Sequence, residues 1–125
     1  MALDMDPGVR AQWCAALRSG EYKQTKGTLR GETPEGDEGY CCLGVLTDLY
    51  VKAGNPEAFE LQDGDCSVAG VWDCDILTDQ VKKWAGLTSA DPELHFSGGS
   101  APAAELNDDG TTFAEIADLI DGGVA

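Results

Sequence analysis

The residues best suited to binding chemistry in this chain lie close together near its start: Arg18, Tyr22, Lys23, Gln24, Lys26 and Arg30. Arginine and lysine neutralise phosphate-like oxygens, arginine through a planar two-pronged fork. A tyrosine ring stacks a base, and a glutamine amide can read a base edge. The set predicts a site for a small anionic, nucleotide-like ligand, with the rings of Trp13 and Tyr40 available beside it. The opposing expectation is a solvated face whose cations pair with nearby acids, contributing about a few tenths of a kcal/mol each.

The charge around this segment sets it apart. The chain has 125 residues and a net charge of −15. Residues 1–30 hold five basic and three acidic side chains, a net of +2; the other 95 hold three basic and twenty acidic, a net of −17. Such a chain repels nucleic acid overall while permitting one local anion site. The acids also support a second class of function. Glu32, Glu35, Asp37, Glu38, Asp63, Asp65, Asp73 and Asp75 could imitate a phosphate backbone and occupy the groove of a basic host protein. Long-range attraction would speed that encounter.

Other chemistry is less well written. Cys41 and Cys42 precede a helix start, where a thiol pKa falls, but a nucleophilic cysteine also needs a base and His95 is the single histidine. With Leu43 and Val45 adjacent, both cysteines are expected in the core. Five cysteines without a Cys-x-x-Cys spacing suggest reduced thiols rather than a disulfide framework. Cys66 and Cys74 are too far apart for a zinc knuckle, and the turn Asn107-Asp108-Asp109-Gly110 lacks the later glutamate of a calcium loop. No phosphate-cradling Gly-x-x-x-x-Gly-Lys motif is present, and no carboxylate pair stands out for hydrolysis. No metal and no cofactor is expected.

The elements that must position these residues centre on 39–50, the run with the least charge. A strand ending near Tyr40 and Cys41 feeds a helix with Cys42, Leu43, Leu46, Leu49 and Tyr50 on one face, ending near Gly54-Asn55-Pro56. Before it, Asp6 caps a first helix with Pro7 at its first position, Val9, Trp13, Ala16 and Leu17 inward, Arg18 in its last turn and Gly20 as its stop. A strand is expected within 21–30, bent at Gly27, joined by an acidic turn-rich loop over 31–39 to an antiparallel partner. Residues 57–75 predict an irregular excursion with a short strand or two, Val68, Val71 and Trp72 falling in one and Gly64 and Gly70 at turns. Thr78 or Asp79 caps a short helix with Val81, Trp84 and Ala85 inward, stopped by Gly86. Leu94, His95 and Phe96 form an edge strand before a Ser-Gly-Gly-Ser loop, and 106–110 make a tight turn. Thr112 and Glu115 form a capping box for a last helix with Phe113, Ile116, Ala117 and Ile120 inward.

The expected fold is α+β, a small antiparallel sheet packed with three to four helices, as a single compact domain over 1–125. The 42% hydrophobic content suffices for a core. No apolar run approaches the roughly 20 residues of a membrane span, and the first residues lack the form of a signal peptide, so the expected location is the cytoplasm.

Several of these pieces recur together, in order: Trp13-x-x-Ala16-Leu17-Arg18-Ser19-Gly20-x-Tyr22-x-Gln24, Gly39-Tyr40-Cys41-Cys42-Leu43-Gly44-Val45-Leu46, Trp84-Ala85-Gly86-Leu87, Leu106-Asn107-Asp108-x-Gly110 and Phe113-x-x-Ile116-Ala117-x-x-Ile120. The set resembles a group of small accessory proteins encoded by tailed bacteriophages and prophages. The resemblance covers most of the chain except 55–77 and implies an origin rather than a reaction, with action on a bacterial host, anti-defence foremost. Three readings follow: sequestration of a small anionic ligand at Arg18, Tyr22, Lys23, Gln24, Lys26 and Arg30; an acidic decoy for a basic host protein; and, third, a hydrolase of a nucleotide signal.

Overall fold

A computed structural model describes residues 3–26, 29–32, 35–54, 59–62, 65–68, 71–72, 77–96 and 98–122. Expectations for Gly27, Thr28, Asn55, Pro56, Asp63, Gly64, Gly70, Asp73, Cys74 and Asp75 lie outside these residues. The fold is α+β.

Helix α1, Pro7–Ser19, begins as the sequence predicts. Asp6 Oδ1 accepts a hydrogen bond from the Val9 N–H at 3.0 Å, satisfying a donor with no partner inside the helix. Gly20 closes the helix in the left-handed conformation, φ +78°. Val9, Trp13, Cys14 and Leu17 form its buried face.

Strands β1, Arg30–Glu32, and β2, Glu38–Tyr40, pair antiparallel with Arg30 opposite Tyr40. The first strand therefore lies later than the composition of 21–30 suggests. Residues 23–25 run along the other side of Tyr40 as a parallel bridge, with Tyr40 N–H donating to the Lys23 carbonyl (2.8 Å) and Thr25 N–H to the Tyr40 carbonyl (2.9 Å). Gln24 and Thr25 are held there by side-chain bonds from a later element, which local propensity does not encode.

Helix α2, Cys42–Lys52, is the centre of the core. Cys42, Leu43, Gly44, Val45, Leu46 and Thr47 are all buried, so its first turns are enclosed on every side rather than along one stripe. Cys41 is its N-cap and not a strand residue. The Trp13 indole N–H donates to the Cys42 carbonyl at 2.9 Å in the fully buried seam between α1 and α2. Trp13→Phe removes this second donor, leaving the carbonyl with its helical bond and a void beside it. The expected loss is about 2–3 kcal/mol in urea denaturation. Trp84→Phe, at a half-buried ring packed edge-on against Tyr50, should cost less; equal losses would mean the seam bond contributes nothing.

The described residues within 59–72 form three strands where one or two were expected: β3, Phe59–Gln62; β4, Asp65–Val68; and β5, Val71–Trp72, in one antiparallel sheet of that order. Val68 pairs with Val71 instead of sharing a strand with it. Helix α3, Asp79–Trp84, is capped by Thr78. Gly86 follows at φ +72°, where a Cβ would come within 2.9 Å of the Asp6 backbone nitrogen. That close approach lets Asp6 N–H donate to the Ala85 carbonyl and joins the start of α1 to the end of α3.

Strand β6, Glu93–Phe96, pairs with β7, Gly99–Pro102, so the expected glycine-serine loop continues into a hairpin strand. Helix α4, Ala103–Asp108, occupies residues expected in part as a turn; Ala103, Ala104, Glu105 and Leu106 are strong helix formers that outweigh the turn residues after them. Helix α5, Phe113–Ile120, starts in the expected Thr112–Glu115 capping box and packs along α1. The described residues thus hold five helices, α4 being the one not anticipated, and three small antiparallel sheets in place of one. No helix among them is long and apolar enough to cross a membrane.

Candidate functional site

The six residues singled out by charge and aromaticity go to different places. Arg18, at the end of α1, reaches across to α5, donating to Asp118 and Asp121 at 2.8 Å each. These contacts raise the affinity of the guanidinium for its proton and hold the Asp121 carboxyl below its ordinary range. The Gln24 amide is turned inward, donating to Asn107 Oδ1 (2.9 Å) and the Thr111 carbonyl (2.7 Å). Lys26 is exposed, its ammonium near the turn at Gly110. Arg30 lies over the Tyr40 ring, 5.7 Å from its centroid, and pairs with Glu38. Of the six, Tyr22 and Lys23 line one cavity together.

That cavity, of about 440 Å³, is lined by Glu21, Tyr22, Lys23, Asp37, Glu38, Tyr40, Asp48 and Lys52. The parallel bridge brings Tyr22 and Tyr40 edge to face at 5.1 Å, and the exposed side of α2 supplies Asp48 and Lys52 one turn apart. Two lysines face four carboxylates. Lys23 is already paired with Asp37 at 2.5 Å, and Lys52 with Asp48 at 2.9 Å. Tyr22 donates its hydroxyl hydrogen to Asp48 Oδ2 at 2.5 Å and accepts from Lys52 Nζ at 3.1 Å, with the ammonium 5.2 Å from the ring centroid. Burial first, and the bond to Asp48 second, push the Tyr22 hydroxyl above its ordinary pKa. Burial likewise pushes Tyr40 up to about 12. Both phenols stay protonated at neutral pH, as hydrogen-bond donors and polar-edged rings rather than bases.

The thiols lie elsewhere. Cys14, Cys41 and Cys42 are buried. Desolvation drives the Cys42 thiol well above its ordinary range and Cys14 up to about 12, so neither supplies the thiolate that nucleophilic chemistry requires. His95 is exposed on β6 opposite Ser100.

Two residues with large roles escape a reading by composition. Asn107, fully buried on α4, accepts from Gln24 and from the Cys42 N–H (3.2 Å), and donates to the Thr25 carbonyl (2.8 Å). It thereby satisfies an orphan donor at the start of α2 and clamps the segment that carries Tyr22 and Lys23. Asp48 had one available signal: it is the sole charged residue in 39–50. A second hollow, about 370 Å³, lies beside the β6–β7 hairpin; its lining includes Asp4, Asp91 and Glu93 and no basic side chain.

A family model described as Domain of unknown function (DUF8296) matches residues 5–123. No curated protein and no solved structure matches the chain.

Proposed function

The chain belongs to the DUF8296 family, a domain of unknown function, and from its geometry we propose that it is a binding module, not a catalyst, whose acidic two-tyrosine cavity receives a basic side chain of a protein partner. The observation that carries this reading is the state of the cavity's cations: Lys23 and Lys52 are both held by carboxylates, and carboxylates outnumber them. An anion entering here must break those pairs and then face the surplus negative charge. A cation meets carboxylates and the rings of Tyr22 and Tyr40, which attract it through their π faces. The net charge of −15 draws basic partners from a distance and repels nucleic acid. The sequence resemblance to phage accessory proteins supplies the setting, a basic host protein in the bacterial cytoplasm whose working surface is covered, with a defence component foremost. Sequestration of a nucleotide-like anion by Arg18, Lys23 and Arg30 has less support, since each already has a carboxylate partner.

Titration calorimetry at near-physiological salt separates the two. A hepta-lysine peptide should bind, and Glu38→Gln combined with Asp48→Asn should weaken it about tenfold, or 1.4 kcal/mol. A panel of cyclic and linear nucleotides should give no heat of binding. Nucleotide binding that Lys23→Ala abolishes and the acid substitutions leave intact would overturn the proposal.

A further inference from the structure

Resting on that reading, we infer that Lys52 is the resident occupant of the cavity's cation seat, an internal stand-in that must leave before the ammonium of a partner's lysine can bind. The seat is a closed circuit of directional bonds. Tyr22 spends its hydroxyl hydrogen on Asp48 Oδ2, which leaves its oxygen lone pair for the Lys52 ammonium; the same ammonium bonds Asp48 Oδ2 directly and lies off the hydroxyl edge of the Tyr22 ring, 5.2 Å from its centroid. One donor group and two oxygen acceptors are therefore matched at a single point. Such a point suits a compact ammonium, with three donors around one nitrogen, better than a planar guanidinium, whose fork wants two coplanar acceptors side by side.

The two halves of the contact differ in how firmly they are held. The Asp48 side chain is 16% exposed and fixed from within by Tyr22, while the Lys52 side chain is 65% exposed at the last position of α2. The pair is open to solvent at its lysine end, so the lysine can swing out while the seat stays formed. The cavity extends past Lys52 to Lys23, Asp37 and Tyr40, which leaves room for the aliphatic stem of an incoming side chain. A partner's affinity is then reduced by the fraction of time Lys52 holds the seat, and removing Lys52 should raise it.

A small probe tests the seat without any partner. In Lys52→Ala, n-butylammonium chloride should give saturable NMR shifts at Tyr22 and Asp48 in the millimolar range. The wild-type protein should respond at least about tenfold more weakly, and tetramethylammonium chloride, which has no N–H donor, should give no saturable shift in either. Equal responses in the two proteins, or none in Lys52→Ala, would overturn the inference. As a second arm, Lys52→Met should bind hepta-lysine about 5–10-fold tighter than wild type. Lys83→Met removes the same charge from exposed α3, outside the cavity, and should stay within about twofold. Matching gains from both substitutions would mean that net charge, not the seat, sets affinity. Uptake of butylammonium by Lys52→Ala with no peptide binding by any variant would preserve the seat and overturn the basic-partner function. Peptide binding indifferent to Lys52 would do the reverse.

Discussion

Gly44→Ala is expected to lower the melting temperature by about 10–20 °C or abolish folding outright. In most helices this exchange stabilises, by about 1 kcal/mol, because alanine has the better helix propensity. Here the sign reverses. A Cβ at position 44 would stand 1.7 Å from the Leu29 carbonyl oxygen and 2.6 Å from its carbon. That carbonyl cannot simply retreat, because it accepts the Cys41 N–H at 3.2 Å and Leu29 is itself in the core. Backbone presses on backbone, with no flexible side chain to give way. The cost should exceed the roughly 1–3 kcal/mol of ordinary overpacking, against a total stability of about 5–15 kcal/mol. Thermal unfolding followed by circular dichroism decides it. A variant melting within about 3 °C of wild type would mean that α2 does not lie against Leu29 in this way.

Asn107 should be nearly as intolerant. Asn107→Ala leaves the Cys42 N–H and the Thr25 carbonyl without their side-chain partner in a fully buried site, and leaves a void. The expected loss is about 3–5 kcal/mol, and the segment bearing Tyr22 and Lys23 should loosen with it. Asn107→Asp is more informative, because its shape is conserved and only the proton changes. A protonated carboxyl can still donate to the Thr25 carbonyl; a carboxylate cannot, and it would be buried beside Asp108. The folded-state pKa of the new group should therefore lie above its unfolded value of about 3.9. A group so shifted contributes fully below the unfolded pKa and loses that contribution as pH rises through the folded one. The gap between variant and wild type should widen from pH 4 to pH 7 in urea denaturation. A gap independent of pH would mean that the carboxyl is not confined where Asn107 sits.

Legibility of the fold in the sequence followed the range of the interactions. Helices α1 and α5 were readable because their signals are local: Asp6 and Pro7 before an apolar stripe, Gly20 after it, Thr112 and Glu115 three residues apart. The strand expected over 21–30 was displaced because its residues are held by partners far along the chain, Gln24 by Asn107 and Thr111. Asn107 itself was hidden among the turn-forming residues that follow it. The cavity was half legible. Tyr22 and Lys23 stood out by type, but Asp48 and Lys52 belong to a helix that attracts attention through its apolar face. That Arg18 would turn toward α5 and its two carboxylates was invisible, since the partners are about 100 positions away.

The packing of α1 against α5 also has a consequence for the order of events during synthesis. The Cys14 thiol donates to the Ala117 carbonyl, 103 residues later, and the Leu3 N–H to the Ile120 carbonyl. At roughly 5–20 residues per second, the ribosome delivers the second partner about 5–20 s after the first. Throughout that interval the apolar side of α1 that α5 will cover has no native cover. The nascent chain therefore waits with a greasy surface showing, and that surface is covered only when α5 emerges.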